Sequence, residues 1–358
     1  MNSCCGHRVV SSKLVAIVGN LLFSLLVAMP MTVRAQEAVA LELGKARHFS
    51  KTLPAGDFSG LAWLGGDRYA VVDDKSAQNG FYVFRIAIDT LSGRLLSAHD
   101  ESFVPFVGRQ GRSIDAEAIA FVPRQGTLLV ASEAEGSISE YTLDGRSTGR
   151  EVLLPPEIHS ASKNYGLESL SYNDATHRLW TCIEGTLAAD GQQATAVNGV
   201  RNRIRLLEFD EQLQLVGTYA YEMDAPRKQK PARSYAMGVS ELCALDDGSL
   251  LVLEREFRVP KKLIGASVEQ KLYRVVPKPE QRLNPAERLT DEVTFLDKQL
   301  VACWRTKLNL TRRNLANYEG MCLGPRLSDG RQVLVLISDS QHRYRGVLKD
   351  WIKVIWEK

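Results

Sequence analysis

The sequence is poor in the residues and motifs on which many enzyme sites depend. It has six histidines among 358 residues, and the five that follow residue 35 show no paired spacing of the kind that zinc sites use. It contains neither a P-loop nor a dinucleotide fingerprint. No stretch has the periodicity of a long helix, and no Gly/Ser-rich or Pro-rich linker divides the chain. These absences argue against a zinc enzyme and against a nucleotide-binding α/β fold.

The one long hydrophobic run lies at the N-terminus. A basic start that includes Arg8 and Lys13 is followed by an apolar stretch from Leu14 to Met29, and Val33-Arg34-Ala35 has the small-x-small form of a cleavage site. This pattern predicts a cleaved secretory signal over residues 1–35, so that the mature protein is periplasmic or secreted. Because the apolar run is near the lower length limit for a membrane span, an uncleaved anchor remains the alternative.

The rest of the chain has no excess of either charge. Of the 45 basic side chains, three lie in the signal segment, which holds none of the 42 acidic ones. Residues 36–358 are therefore neutral overall, which argues against a nucleic-acid partner. We expect them to form one domain without stable membrane insertion, and the sequence leaves the oligomeric state open.

A short pattern occurs five times in this neutral region. In each copy a small-apolar triplet opens a strand, a turn follows, and a second strand ends in an acid. The triplets begin at Ser59, Glu117, Glu168, Ser240 and Glu319, and the closing acids are Asp74, Glu133, Glu184, Glu254 and Asp339. The midpoint of every pair falls on turn-forming residues, as a β-hairpin requires. An internal repeat of this kind indicates a repeated architecture.

Each hairpin is followed by further strand-like sequence, which gives four strands per repeat. This predicts an all-β protein, a β-propeller of four-stranded blades with five motif-bearing repeats. The last repeat lacks a fourth strand, and residues 38–49 are expected to supply it and close the ring. Six blades remain possible because the fourth repeat carries a long insert from Arg255 to Leu300. The second blade is expected to end with a strand over residues 151–154, after a turn that contains the G-x-S-x-G match at Gly145–Gly149.

Hairpin topology places the start of each first strand and the end of each second strand at one mouth of the central channel. So many carboxylates need a cation or basic partners, and oxygen-only ligands favour Ca²⁺, the preferred cofactor here, or Mg²⁺. The candidate metal ligands are Asp74, Asp115, Glu117, Glu168, Glu184, Glu319 and Asp339. Glu117, Glu168 and Glu254 are the candidate catalytic residues. The alternative is structural, in which these acids cap turns or pair with arginines between blades.

The loops at the same mouth are rich in arginine and lysine. Guanidinium groups bind phosphate through paired hydrogen bonds, so a small phosphorylated substrate is expected. The candidate substrate-binding residues are Arg112, Arg233, Arg255 and Arg313. Solvated surface is the alternative for these loops.

The four cysteines after the signal segment allow two interpretations. Three of them, Cys182, Cys243 and Cys322, occupy positions where other repeats have small residues, which indicates core packing. Export would also permit a disulfide, for which Cys303–Cys322 is the best pair.

The repeats resemble those of the bacterial "esterase-like activity of phytase" family. The segments that carry the resemblance are Asp57–Ala62, Asp115–Ala120, Tyr165–Leu170, Gly238–Leu242 and Leu253–Arg255. Ala118 and Ser169 stand where the family usually has glycine. The resemblance implies a phytase-like propeller and phytase-like or phosphodiesterase-like hydrolysis. Together with the acids and arginines of the mouth, it leads us to expect phosphoester hydrolysis assisted by a divalent metal. A lactonase or carboxylesterase propeller that uses the same acids, and a non-catalytic envelope scaffold, are the two rival hypotheses.

Overall fold

Five antiparallel sheets form a five-bladed β-propeller in the computed structural model, which describes residues 41–76, 78–108, 114–161, 165–311 and 313–357. The first strands are β1 (Leu41–Leu43) and β2 (Arg47–His48). Blade 1 comprises β3 (Phe58–Gly65), β4 (Arg68–Asp73), β5 (Gly80–Ile88) and β6 (Leu95–Pro105). Blade 2 comprises β7 (Ala116–Val122), β8 (Thr127–Ser132), β9 (Ser137–Thr142) and β10 (Ser147–Glu151). The predicted signal segment lies outside the described residues.

The remaining blades follow in chain order. Blade 3 comprises β11 (Leu167–Asn173), β12 (Arg178–Ile183), β13 (Arg203–Phe209) and β14 (Leu215–Glu222). Blade 4 comprises β15 (Ser234–Ala244), β16 (Leu250–Val259), β17 (Ser267–Val275) and β18 (Lys298–Lys307). Blade 5 contains β19 (Asn317–Arg326), β20 (Gln332–Asp339) and β21 (Trp351–Glu357). The only helical segments in the described ranges are three short 3₁₀ turns, Pro156–Ser160, Pro279–Gln281 and Tyr344–Gly346. None of the described helices has the length and apolar character that a membrane crossing requires.

The N-terminal strands complete blade 5, as predicted. β1 pairs antiparallel with β21, with Leu43 opposite Ile355, and β2 pairs with the other end of β21. The fifth sheet therefore joins the two ends of the described chain, and β19 packs beside β3 to close the ring.

The long insert of the fourth repeat does not form a sixth blade. It contains the end of β16, all of β17, and a loop that runs back over blade 3, where the Leu283 and Leu296 N–H groups donate to the Thr218 and Ala220 carbonyls (both 2.8 Å). The alternative of six blades is therefore wrong.

Two other expectations need correction. The outer strand of blade 2 is Ser147–Glu151 rather than 151–154, so Ser147 begins a strand and does not lie in the turn. The alternative of a Cys303–Cys322 disulfide is also wrong, because all four described cysteines are free. Cys182 and Cys243 are buried, which confirms that they serve as small core residues.

The five innermost strands β3, β7, β11, β15 and β19 pack around the axis at very short range. A Cβ atom on Gly60 would lie 2.8 Å from the Ala118 Cα atom, and one on Gly320 would lie 3.0 Å from the Leu61 backbone nitrogen. Only small residues allow neighbouring inner strands to approach this closely. This close packing explains the small-apolar triplets of the repeat.

Every inner hairpin contains a β-bulge at the same point. The register shifts between Phe58 and Gly60 in blade 1 and at the equivalent point of the other blades. A bulge adds one unpaired residue and re-aims its side chain, a device often found beside functional sites. The bulge residues are Ser59, Glu117, Glu168, Ser240 and Glu319.

Candidate functional site

A cavity of about 640 Å³ opens at the mouth of the channel where the bulges lie. Its floor carries carboxylates from blades 1, 2, 3 and 5, and its upper wall is apolar. The described acidic residues that line it are Asp74, Glu117, Glu133, Glu168, Glu319 and Asp339, and the described basic ones are Lys75, Arg233, Arg255 and Arg345. The predicted convergence of the strand-end acids is therefore present for most of them.

The floor consists of two rings that the hairpins position. One ring is the set of bulge residues, of which three are glutamates. The other is the residue on each second strand, or directly after it, that lies opposite the position two residues before the bulge: Asp74, Glu133, Glu184, Arg255 and Asp339. Four members of this second ring are acidic and one is an arginine.

Asp74, Asp115 and Glu117 form a close acidic group, and Asp74 and Glu117 belong to the cavity floor. One carboxylate oxygen from each lies within 4.8 Å of the others, a spacing at which a single cation can contact all three. Asp115 has a left-handed backbone (φ 53°), which aspartate tolerates better than most residues. One oxygen of Asp74 is buried without a hydrogen-bond partner, and the other accepts from Lys75. We name these three residues the acidic triad.

The electrostatics of the floor favour binding of a positive group. Burial raises the pKa of Asp74 to about 6, although Lys75 opposes the shift. Burial, together with repulsion from Glu168 and Asp74, raises the pKa of Glu117 well above its usual range. A cation placed among these carboxylates would relieve that repulsion and return them to their charged form.

Glu168 faces the triad from blade 3. Its carboxylate lines the cavity and accepts no hydrogen bond from the part of the chain that the structure describes. Burial, and then the charges of Glu184 and Glu319, raise the pKa of Glu168 well above its usual range, and Arg255 opposes them. An unbonded carboxylate of raised basicity in a cavity can accept a proton from a bound water.

Arg255 holds the two rings together. Its guanidinium pairs with Glu184 of blade 3 and with Glu319 of blade 5, and it lies 3.3 Å from the Asn317 side-chain oxygen. The arginine side chain is only 8% exposed. Burial, opposed by Arg255, raises the pKa of Glu319 to about 7. Arg255 was expected to bind phosphate and Glu184 to bind a metal, whereas the two side chains are bonded to each other.

Glu254 lies apart from the floor. Its carboxylate accepts hydrogen bonds from the Tyr221 hydroxyl (2.6 Å) and the Lys298 ammonium (2.7 Å) on the other side of the blade. Since neighbouring residues of a strand point to opposite faces, the side chain that enters the cavity is that of Arg255. The structure does not bring Glu254 together with the other predicted catalytic residues, because the repeat was aligned one position out of step in blade 4.

Exposed arginines stand on the rim. Arg233 and Arg345 both line the cavity, and neither guanidinium makes an ion pair with a described residue. Arg345 lies over the ring of Tyr344, with 5.2 Å between the guanidinium carbon and the ring centroid. Arg313 is exposed outside the cavity, and Arg112 lies outside the described residues. Sequence reasoning missed Arg345, although its loop leaves β20 at the same mouth as the acids.

Comparison with known proteins identifies the family. The family model described as "Phytase-like: Esterase-like activity of phytase" matches residues 53–342. The chain belongs to the phytase-like family. This membership supports a propeller of the hydrolase type, and the resemblance inferred from the repeats is confirmed. A search of curated proteins finds no match.

Solved structures resemble this phytase-like propeller at low sequence identity. An endo-arabinase from Bacteroides thetaiotaomicron is 13% identical with a TM-score of 0.40, over 86% of this chain and 96% of that one. A thermostable family-43 glycoside hydrolase is 10% identical with a TM-score of 0.40, over 85% and 91% of the two chains. A streptogramin B lyase is 12% identical with a TM-score of 0.35, over 89% and 98%. Likeness at this level carries no argument about activity.

Below the mouth, the channel of the phytase-like propeller holds one further carboxyl group. Glu241 follows the bulge of blade 4, where the other blades have Gly60, Ala118, Ser169 and Gly320. One of its oxygens accepts from the Leu170 N–H (3.1 Å) and the Leu242 N–H (2.9 Å), and the other is buried without a partner. Glu241 thus connects the inner strands of blades 3 and 4. Burial raises its pKa well above the usual range, although these backbone donors oppose the shift.

Replacing Glu241 with glutamine should stabilise the protein more at pH 8 than at pH 5. An acid whose pKa is raised by folding loses stability as the pH rises from its unfolded value, about 4.3, toward its folded one. The amide keeps the acceptor oxygen and never ionises. Because one pKa unit corresponds to about 1.4 kcal/mol, we expect the variant to gain about 1 kcal/mol or more at pH 8. Urea unfolding at both pH values measures this.

The exposed Glu292 provides the control for this experiment. Glu292→Gln should change the free energy of unfolding by less than about 0.5 kcal/mol at either pH, as surface substitutions usually do. A Glu241→Gln effect that is the same at pH 5 and pH 8 would show that folding does not raise the pKa of this carboxyl.

Proposed function

We propose that this phytase-like protein is an exported hydrolase that cleaves phosphoesters at the channel mouth with the help of a bound divalent cation, Ca²⁺ in preference to Mg²⁺. The observation that carries the proposal is the acidic triad, of which Asp74 and Glu117 line the floor of a cavity with two exposed arginines on its rim. Carboxylates that repel one another attract a cation, and unpaired guanidinium groups attract a phosphoryl group.

Asp74, Asp115 and Glu117 would hold the cation. Three carboxylates supply only part of the six to eight oxygens that Ca²⁺ takes, so water and substrate oxygens can complete the shell. A bound cation of this kind polarises a phosphoryl oxygen and acidifies water. The donor set fits calcium or magnesium, because all three side chains offer oxygen and the described cavity lining contains neither histidine nor cysteine.

The other groups of the cavity have separate tasks in the proposed reaction. Arg233 and Arg345 bind the non-bridging phosphoryl oxygens from the rim. Glu168 accepts a proton from the attacking water while the water oxygen forms a bond to phosphorus. The phosphorus–oxygen bond to the leaving alcohol then breaks, and the alcohol takes the bonding pair and a proton. Arg255 keeps Glu184 and Glu319 in place, and its bond to Glu184 fixes the part of blade 3 that carries Glu168.

Calcium titration of the mature protein by calorimetry tests the proposal. We expect binding that Asp74→Asn and Glu117→Gln each weaken by tenfold or more, since each removes one charged ligand. Asp246→Asn is the matched control, because Asp246 is an acid at the opposite mouth whose carboxylate pairs with Arg326 at 2.7 Å. Its calcium affinity should equal that of the unmodified protein.

A substrate screen with calcium present completes the test. Turnover of a phosphoester supports the proposal. Turnover of a lactone or carboxylester without phosphoester cleavage would replace it with the esterase hypothesis. No calcium binding and no turnover by a correctly folded protein would favour a non-catalytic scaffold, in which the acids are structural.

A further inference from the structure

The upper wall of the cavity is apolar, and one long hairpin builds most of it. β15 and β16 are 11 and 10 residues long, whereas the equivalent strands of blade 2 have seven and six. The extra length extends beyond Arg255, where Ala236 pairs with Phe257 and Ser234 with Val259. Blade 4 therefore rises above the floor that the other blades form.

The side chains on one face of this extension point into the cavity. Arg255, Phe257 and Val259 lie two residues apart along β16, so their side chains share one face, and all three line the cavity. Each step of two residues advances about 7 Å along a strand. Phe257 and Val259 therefore follow Arg255 upward from the carboxylates toward the rim.

Further residues of blade 4 and of the segments that lead into strands of blade 5 pack together with this extension. Val259 belongs to a buried cluster with Leu308 and Leu315, and Phe257, Leu263 and Leu348 pack against that cluster. Four of these side chains besides Val259 also face the cavity: Phe257, Leu263, Leu315 and Leu348. The wall is thus one side of a packed core and not a single exposed residue, so it offers a fixed apolar surface to whatever fills the cavity.

The cations of the site suit a ligand with little charge. Arg255 forms ion pairs with Glu184 and Glu319, and Lys75 forms one with Asp74. Among the described lining residues, this leaves Arg233 and Arg345 for the substrate, against four carboxylates without an ion pair to a described residue, those of Glu117, Glu133, Glu168 and Asp339. A ligand with many phosphates would meet more negative than positive groups, whereas one phosphoryl group can be bound by two arginines.

We infer that the substrate is a singly charged phosphoester whose retained group is apolar or aromatic and packs on the blade-4 wall, and not a polyol with many phosphates. The inference rests on the proposed function and specifies its substrate class. It assigns Phe257 as the residue that determines specificity, because it stands on the wall directly above the floor.

Two phosphonate esters with the same charge and the same leaving group test it. 4-Nitrophenyl phenylphosphonate and 4-nitrophenyl methylphosphonate differ only in the group that stays on phosphorus. In each, water forms the new bond to phosphorus, nitrophenolate leaves with the bonding pair, and one proton is released. With calcium present, and after correction for the uncatalysed rates, we expect kcat/KM to be at least about tenfold higher for the phenyl compound, as burial of an aromatic group predicts.

Variants connect that preference to the wall. Phe257→Ala should reduce the phenyl-to-methyl ratio to below about threefold, and Phe295→Ala should leave it unchanged. Phe295 is a matched, partly exposed phenylalanine that contacts Arg203 away from the cavity. Phosphate release from phytate should be at least about tenfold less efficient than cleavage of the phenyl ester. A ratio near one, a ratio that Phe257→Ala does not change, or efficient phytate turnover would overturn the inference and leave the proposed function intact.

Binding of the two product phosphonates tests the apolar wall independently of catalysis. Calorimetry should show that phenylphosphonate binds at least about tenfold more tightly than methylphosphonate, and that Phe257→Ala removes the difference. This result without turnover of either ester would support the apolar subsite and overturn the hydrolase proposal. Equal binding together with no turnover would overturn both.

Discussion

Replacing Arg255 with methionine should lower the free energy of unfolding by about 3–5 kcal/mol, the usual result of removing one partner of a buried ion pair. Methionine fills a similar volume but leaves Glu184 and Glu319 without their guanidinium partner. The Glu184 side chain is 2% exposed and that of Glu319 is 14% exposed, so water cannot replace the lost contacts fully. Thermal and urea unfolding of the two proteins measure the difference.

The free energy of unfolding that Arg255→Met loses should be larger at pH 8 than at pH 5. Burial already raises the pKa values of Glu184 and Glu319 while Arg255 opposes the shift, so loss of the arginine raises them further. A carboxyl with a raised folded pKa loses stability as the pH rises above its unfolded value. At pH 5 a larger fraction of the molecules has the Glu184 and Glu319 carboxyls protonated. Protonation removes the two unpaired buried charges.

Arg233 supplies a matched control from the same cavity. It is exposed, and its guanidinium makes no ion pair with a described residue. Arg233→Met should change the free energy of unfolding by less than about 0.5 kcal/mol, the usual range for surface substitutions. Equal effects of the two substitutions would mean that Arg255 does not join blades 3 and 5.

The same arginine shows where sequence reasoning succeeded and where it failed. Turn chemistry located five hairpins, and hairpin topology correctly brought Asp74, Glu117, Glu168, Glu319 and Asp339 to one mouth. Pairs equidistant from a turn assume an unbroken ladder, and the five bulges break that assumption. In blade 4, Glu254 was predicted to belong to the ring at the mouth, whereas its neighbour Arg255 occupies that position. A shift of one residue moves a side chain to the other face of a sheet, so the error replaced an arginine with a glutamate.

The apolar wall was also hidden from the sequence. Phe257 and Val259 follow Arg255 in a stretch that was assigned to a long insert, because nothing local distinguishes a strand that continues from a loop that begins. Arg345 lies within the 3₁₀ turn Tyr344–Gly346, in a segment that has no counterpart in the other repeats. The repeat therefore identified what the blades share, and the features specific to one blade required the structure.

Replacing Glu168 with glutamine should lower kcat for phosphoester cleavage by about 10²–10⁴-fold, the usual contribution of a positioned general base. The amide keeps the shape of the side chain but cannot accept the proton of the attacking water. KM should change little, since the rim arginines and the apolar wall are untouched. Steady-state kinetics with 4-nitrophenyl phenylphosphonate and calcium measure both constants.

Stability distinguishes this catalytic role from a structural one. Glu168 accepts no hydrogen bond from the described residues, and neighbouring carboxylates repel it, so Glu168→Gln should not lower the free energy of unfolding. Glu140→Gln is the contrast, because Glu140 is a buried acid on β9 bonded to Thr127 (2.9 Å) and Arg150 (3.0 Å). It should cost about 1–3 kcal/mol of stability and leave kcat nearly unchanged. If Glu168→Gln destabilised the protein and kept its kcat, the carboxylate would serve the fold, and proton transfer would belong to another group of the floor.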